Sequence, residues 1–170
     1  MRSFTVVVVL SLMAGACSAP VVLQSRLDPA EVAWFAARGT NTIAGSVIVR
    51  SYKGVAKTCA ALPVVLFPVS AYGRERMMHL YGSDQEGFNP ILLGRPADFG
   101  GDDPRYLSTA KTTRCDGRGR FAFTELPDGA YFLVGTVTWR ERQAGLEQGG
   151  YLMQRVQVTT GETKEVLLAH

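Results

Sequence analysis

Few side chains in this chain are of a type and spacing that could do chemistry. The histidines are two, His79 and His170. His79 stands in a short segment with Arg74, Arg76 and Tyr81, which together could form a recognition patch or simply a solvated, partly packed stretch. Asp98, Asp102 and Asp103, in a Gly-Gly-Asp-Asp-Pro context, could offer oxygens to calcium. Their spacing is not that of an EF-hand loop, and paired acids beside glycine also serve as turn formers. Tyr106, Trp139 and Tyr151 could make an aromatic platform for a glycan, or could be spent on core packing and strand pairing. The sequence holds no G-x-S-x-G elbow, H-E-x-x-H helix or P-loop. The expectation is a protein that is not an enzyme and that works without metal or cofactor.

The cysteines, three in all, carry the remaining chemistry. Cys17 closes a leader in which Arg2 precedes an apolar run from Phe4 to Leu12 and the small residues Ala14, Gly15 and Ala16. That order resembles a bacterial lipoprotein signal, in which the thiol is acylated and the bond before it is cut. Such signals usually carry Leu three residues before the cysteine, where this chain has Ala14. Ordinary cleavage after the Ala14-x-Ala16 pair is the alternative. Spanning a membrane takes roughly 20 apolar residues, more than this run supplies. The resemblance implies a protein of the bacterial cell envelope, lipid-anchored and facing the periplasm. Ser18, rather than Asp, after the cysteine resembles lipoproteins sorted to the outer membrane. In an oxidising compartment Cys59 and Cys115 are a natural disulfide pair, with two buried thiols as the alternative.

Removing residues 1–16 from the 170 leaves 154, enough for one domain with its own core. An apolar fraction of 46% and a charged fraction of 19% exclude a disordered chain. The net charge is only +3 and the basic residues are scattered, which gives no support to nucleic-acid binding.

The elements that must position these residues follow from periodicity and punctuation. Residues 17–39 read as a tether and a short helix. Asp28 is placed to cap, Pro29 to open the first turn and Glu31 to complete a capping box, with Gly39 as the stop. Residues 42–50 alternate with Ile43, Gly45, Val47 and Val49 on one face, as a strand. Residues 62–69 are continuously apolar, and Pro63 and Pro68 restrict that strand to an edge, a strand end or a bulge. Residues 71–113 are the least regular part and read as a long loop, with 71–81 able to form a short helix or an extended arm and Gly- and Pro-rich 82–104 of the kind used for binding. Order returns with alternating residues 120–124, the long strand 130–139, and strands at 151–159 and 162–169. About seven short strands with frequent turn signals predict an antiparallel β-sandwich.

The stretch from Asp116 carries a family resemblance. Asp116, Gly119, Phe121, Phe123, Leu126, Pro127, Gly129 and Tyr131 fill the pattern D-x-x-G-x-F-x-F-x-x-L-P-x-G-x-Y, after a Gly45-Ser46-Val47 opening and the apolar second strand. This resembles carboxypeptidase regulatory-like domains, which implies a transthyretin-like, prealbumin-type β-sandwich over residues 40–170. The likeness is strong for residues 115–137 and loose through 71–113. The motif specifies a scaffold and no catalytic atoms, so the fold does not bring an activity with it. One transthyretin-like family hydrolyses hydroxyisourate and ends in Tyr-Arg-Gly-Ser. This chain ends Val-Leu-Leu-Ala-His170 and lacks that signature. The expectation is therefore a membrane-tethered β-sandwich module for contact with an envelope protein or for structural support, with residues 71–113 as its contact surface. A carbohydrate-binding module, a use to which the fold is also put, is the alternative.

Overall fold

The computed structural model describes residues 20–141 and 145–170. The leader and Cys17 lie outside them. The described chain is mainly β, with eleven strands rather than seven. These are β1 (Val21–Val22), β2 (Asn41–Arg50), β3 (Ala56–Thr58), β4 (Pro63–Pro68), β5 (Glu86–Pro90), β6 (Phe99–Gly100), β7 (Lys111–Arg114), β8 (Arg120–Leu126), β9 (Gly129–Arg140), β10 (Glu147–Val158) and β11 (Thr163–Ala169). The helices are α1 (Pro29–Val32), continued by a 3-10 turn over Ala33–Ala36, α2 (Ala71–Tyr81) and α3 (Pro104–Ser108). The strands that periodicity missed, β1, β3, β5, β6 and β7, are two to five residues long. Strands so short take their register from a neighbour rather than from an alternation of their own. No helix among the described residues is long and apolar enough to cross a membrane.

A larger sheet runs in the order β5-β10-β9-β4-β7, and a smaller one joins β11, β2 and β3, with β8 also on β2. Pro63 and Pro68 sit at the two ends of β4, so that strand can occupy an interior place between β9 and β7. The inward faces of the two sheets share one core. Ile43, Val47 and Val49 of β2 and Phe121 and Phe123 of β8 meet Val64 and Leu66 of β4 and Tyr131, Leu133 and Val137 of β9. The Phe-x-Phe and Tyr positions of the motif are thus core positions. Tyr131 Oη donates to the Pro127 carbonyl, which locks the turn between β8 and β9.

The sheets are not purely antiparallel. β11 runs parallel to β2, from Thr163 beside Thr42 to Ala169 beside Ile48. After β10 the chain leaves the larger sheet, turns at Thr160-Gly161 and enters the smaller one alongside β2. The sheet it enters sets its direction, and alternation within β11 carries no trace of that choice. Buried Asn41 holds this corner. Its amide donates to Leu126 O (3.0 Å) and to Asp128 (2.8 Å), and its oxygen accepts from Glu162 N (2.8 Å).

Cys59 and Cys115 are bonded, with Cα atoms 5.7 Å apart. Cys59 follows β3 of the smaller sheet and Cys115 follows β7 of the larger, so the bond ties the two sheets together.

Residues 71–113 are not one long loop. They contain α2, β5, β6, α3 and β7. The glycines and prolines there end elements rather than prevent them. Ser70 caps α2 by accepting from Gly73 N (3.0 Å), and Gly82, left-handed at φ 75°, closes it by donating to Met78 O. Nor are residues from 20 onward a free tether. β1 pairs with β6, Leu27 is buried, and the Glu75 carboxylate accepts from Gln24 N and Ser25 N, both at 2.7 Å. Glu31, expected in a capping box within its own helix, instead accepts from Ala71 N at the start of α2 (2.9 Å). Trp34 packs edge-on and Phe35 at a tilt against Tyr131 and the core.

Candidate functional site

Because β9 and β10 are apolar on both faces near their middles, the larger sheet has a second face to bury. Phe132 and Met153 point away from the inter-sheet core and are covered by Met77 of α2. Helix α2 thereby forms a third layer, and its fit depends on Gly73. A Cβ there would lie 3.1 Å from Tyr106 Oη and 3.3 Å from the Phe132 ring.

Next to this contact the third layer stands off the sheet and leaves a cavity of about 530 Å³. Its walls are Phe67, Val134 and Tyr151 from the sheet, Leu80 and Tyr81 from α2, and the segment 91–97 that follows β5. Volumes of 300–1,000 Å³ with mostly apolar walls and a few placed polar groups are typical of small-molecule sites. The polar groups here are the phenols of Tyr81 and Tyr151, the Asn89 amide, and the guanidinium groups of Arg76 and Arg95, while Tyr106 contributes its ring and keeps its hydroxyl shielded.

Each is held in place. Arg76 is 5% exposed and pairs with Asp102. Its guanidinium lies 4.2 Å from the Phe99 ring centre and 4.9 Å from that of Tyr106. Asp102 also accepts from Tyr72 Oη, whose acidity is lowered by burial and by that bond. Tyr106 is 1% exposed, stacks on Phe67 at 4.9 Å, and its hydroxyl has no hydrogen-bond partner among the described residues. Burial raises the pKa of both Tyr106 and Tyr81, the latter beside Tyr151, so both phenols stay protonated. Segment 91–97 is clasped by Asn89, which donates to Arg95 O (2.9 Å) and accepts from Arg95 N (2.8 Å). Arg95 Nη1 in turn donates to His79 O (2.8 Å) and Met78 O (3.3 Å) at the end of α2.

Arg74, Arg76, His79 and Tyr81 all fall on α2, but they do not form one patch. Arg74 faces solvent, whereas Arg76 and Tyr81 face the cavity. His79 is partly buried, edge-on to Phe99, with Nε2 unpartnered among the described residues. Tyr106 and Tyr151 share the cavity wall, while Trp139 lies elsewhere, in a shallower groove with Tyr52 and Phe88. Asp103 caps α3 and pairs with Arg105, Asp102 is engaged by Arg76, and Asp98 is exposed. Among the described residues no group of three His, Cys, Asp or Glu side chains is placed to hold a metal. Asn89 and Arg95 were not foreseen. Each reads as an ordinary turn residue until the fold brings positions 89 and 95 onto α2.

Fold and site together define a mainly β domain with a helix-covered, ligand-sized cavity on the outer face of its larger sheet. No family model matches the chain, and no curated protein matches it. Among solved structures it is similar to a protein from Pseudomonas aeruginosa described as a "putative carbohydrate binding protein". The TM-score is 0.72 at 22% identity, over 86% of this chain and 99% of that one. At that identity the likeness establishes a shared fold.

Proposed function

We propose that this protein is a non-catalytic binding module of the bacterial cell envelope and that its ligand is a carbohydrate held in the cavity beneath α2. The observation that carries the reading is the cavity itself, with tyrosine rings able to lie against a sugar's C–H faces and phenol, amide and guanidinium donors able to meet its hydroxyls. The description of the Pseudomonas protein agrees with it. In this reading the domain is a transthyretin-like sandwich of the carboxypeptidase regulatory-like kind, stapled by its disulfide. Acylation of Cys17 tethers it to the outer membrane, facing the periplasm.

Titration of the protein with a panel of mono- and oligosaccharides tests the proposal. Binding by calorimetry that is lost in Tyr151→Ala and kept in Trp139→Phe is the expected result. Sugar binding that depends on Trp139 and ignores Tyr151 would move the site to the other groove, and no sugar binding would reject the reading.

A second reading, contact with an envelope protein through residues 71–113, is favoured by Leu92 and Leu93, which are exposed within that segment. Crosslinking in intact cells that captures one partner through this segment would support it.

A further inference from the structure

We propose that the sugar held beneath α2 is acidic, a uronic acid unit whose carboxylate is received by Arg95. This rests on the carbohydrate reading and specifies the class of ligand.

The charged side chains lining the cavity are Arg76 and Arg95, and no carboxylate lines it. The charge of Arg76 is already balanced by Asp102. Arg95 makes no salt bridge among the described residues. It is steadied only by the carbonyls of Met78 and His79, and Nη1 alone is used. Its Nε and Nη2 have no hydrogen-bond partner among the described residues. The site therefore holds one positive charge without a carboxylate partner and with donors to spare, carried by a solvent-exposed side chain at the cavity wall and so weakened by added salt.

The cation is also preorganised. The two Asn89 hydrogen bonds fix the backbone of Arg95, and the end of α2 fixes its side chain, so little is lost in ordering it around a ligand. A guanidinium presents its donors in a plane that matches a carboxylate. One carboxylate balances one charge, whereas a sugar phosphate would bring close to two. The acid is thus a better match to this site than a phosphorylated sugar, and a neutral sugar leaves Arg95 unanswered.

The test is calorimetric titration of the described chain in its full length with methyl glucuronide, methyl galacturonide, their neutral glucoside and galactoside, and glucose 6-phosphate, at low and high salt. One of the uronides is expected to bind at least about tenfold more tightly than its neutral counterpart, with the difference shrinking as salt rises. Arg95→Gln should abolish that preference, weakening uronide binding at least about tenfold more than neutral-sugar binding, while Arg95→Lys should retain part of it. A thermal melt of each variant shows whether the fold is kept. Equal affinity for acid and neutral sugar, a preference that survives Arg95→Gln, or tighter binding of the phosphate would each overturn the inference and leave the carbohydrate reading standing. Failure of every sugar to bind would remove both.

Discussion

Replacing Tyr106 by Phe should stabilise the ligand-free protein, although it deletes a polar group from a fully buried tyrosine. The hydroxyl is shielded from water and has no hydrogen-bond partner among the described residues. Leaving such a group unsatisfied costs about 1–3 kcal/mol, so its removal should recover about 1 kcal/mol once its lost packing contacts are subtracted. The same hydroxyl explains Gly73. Gly73→Ala alone gains about 1 kcal/mol of helix propensity, but its Cβ would sit 3.1 Å from Tyr106 Oη, 3.1 Å from Ser70 Oγ and 3.3 Å from Phe132. Tyr106 cannot retreat, being stacked on Phe67 and covered by Arg76. Overpacking of this kind costs about 1–3 kcal/mol, so the single variant should be neutral to destabilised. Removing the hydroxyl relieves one of the close contacts, so the two substitutions should couple favourably by about 1 kcal/mol. Urea denaturation of wild type, both single variants and the double variant measures all of these values. Additivity within about 0.3 kcal/mol, or a Tyr106→Phe variant less stable than wild type, would refute the reasoning, because it would mean the hydroxyl has a partner or room to move.

Cys59→Ala/Cys115→Ala should lose about 4 kcal/mol, the chain-entropy value for a closed loop of 56 residues, and a loss below about 1 kcal/mol in chemical denaturation would contradict it. Asn41→Leu removes the amide that donates to Leu126 O and Asp128 and leaves Glu162 N only its 3.2 Å bond to Thr159 O, which should cost about 1–3 kcal/mol; an unchanged denaturation midpoint would show that water replaces the amide. Glu75, acidified chiefly by the Gln24 N–H, has a folded pKa below its ordinary 4.5. Its stabilisation is therefore complete above that value and is lost as pH falls through the folded pKa. Exchange protection over residues 21–27, relative to the intrinsic rates, should then fall below about pH 4 while β9 stays protected, and unchanged protection in that segment would rule this out.

Much of the scaffold was legible in the sequence because its signals are local. Alternation along residues 42–50 and 130–139 placed Ile43, Val47, Leu133 and Val137 on buried faces. The cysteine count suggested pairing Cys59 with Cys115, and the structure has that bond. Helix α2 was harder to read, because a glycine and an arginine on its buried face erase the amphipathic pattern.

What tertiary structure alone decided is long-range. It set the parallel course of β11, chosen by the sheet that the chain enters after Gly161. It made a third layer, because Phe132 and Met153 needed cover that only α2 supplied. It also assembled the cavity, in which Arg76, Asn89, Arg95, Tyr106 and Tyr151 meet from separate parts of the chain. Local sequence determines which face of a strand is apolar. Which element covers that face, and where the cover stands off far enough to leave room for a ligand, depends on contacts that local periodicity does not encode.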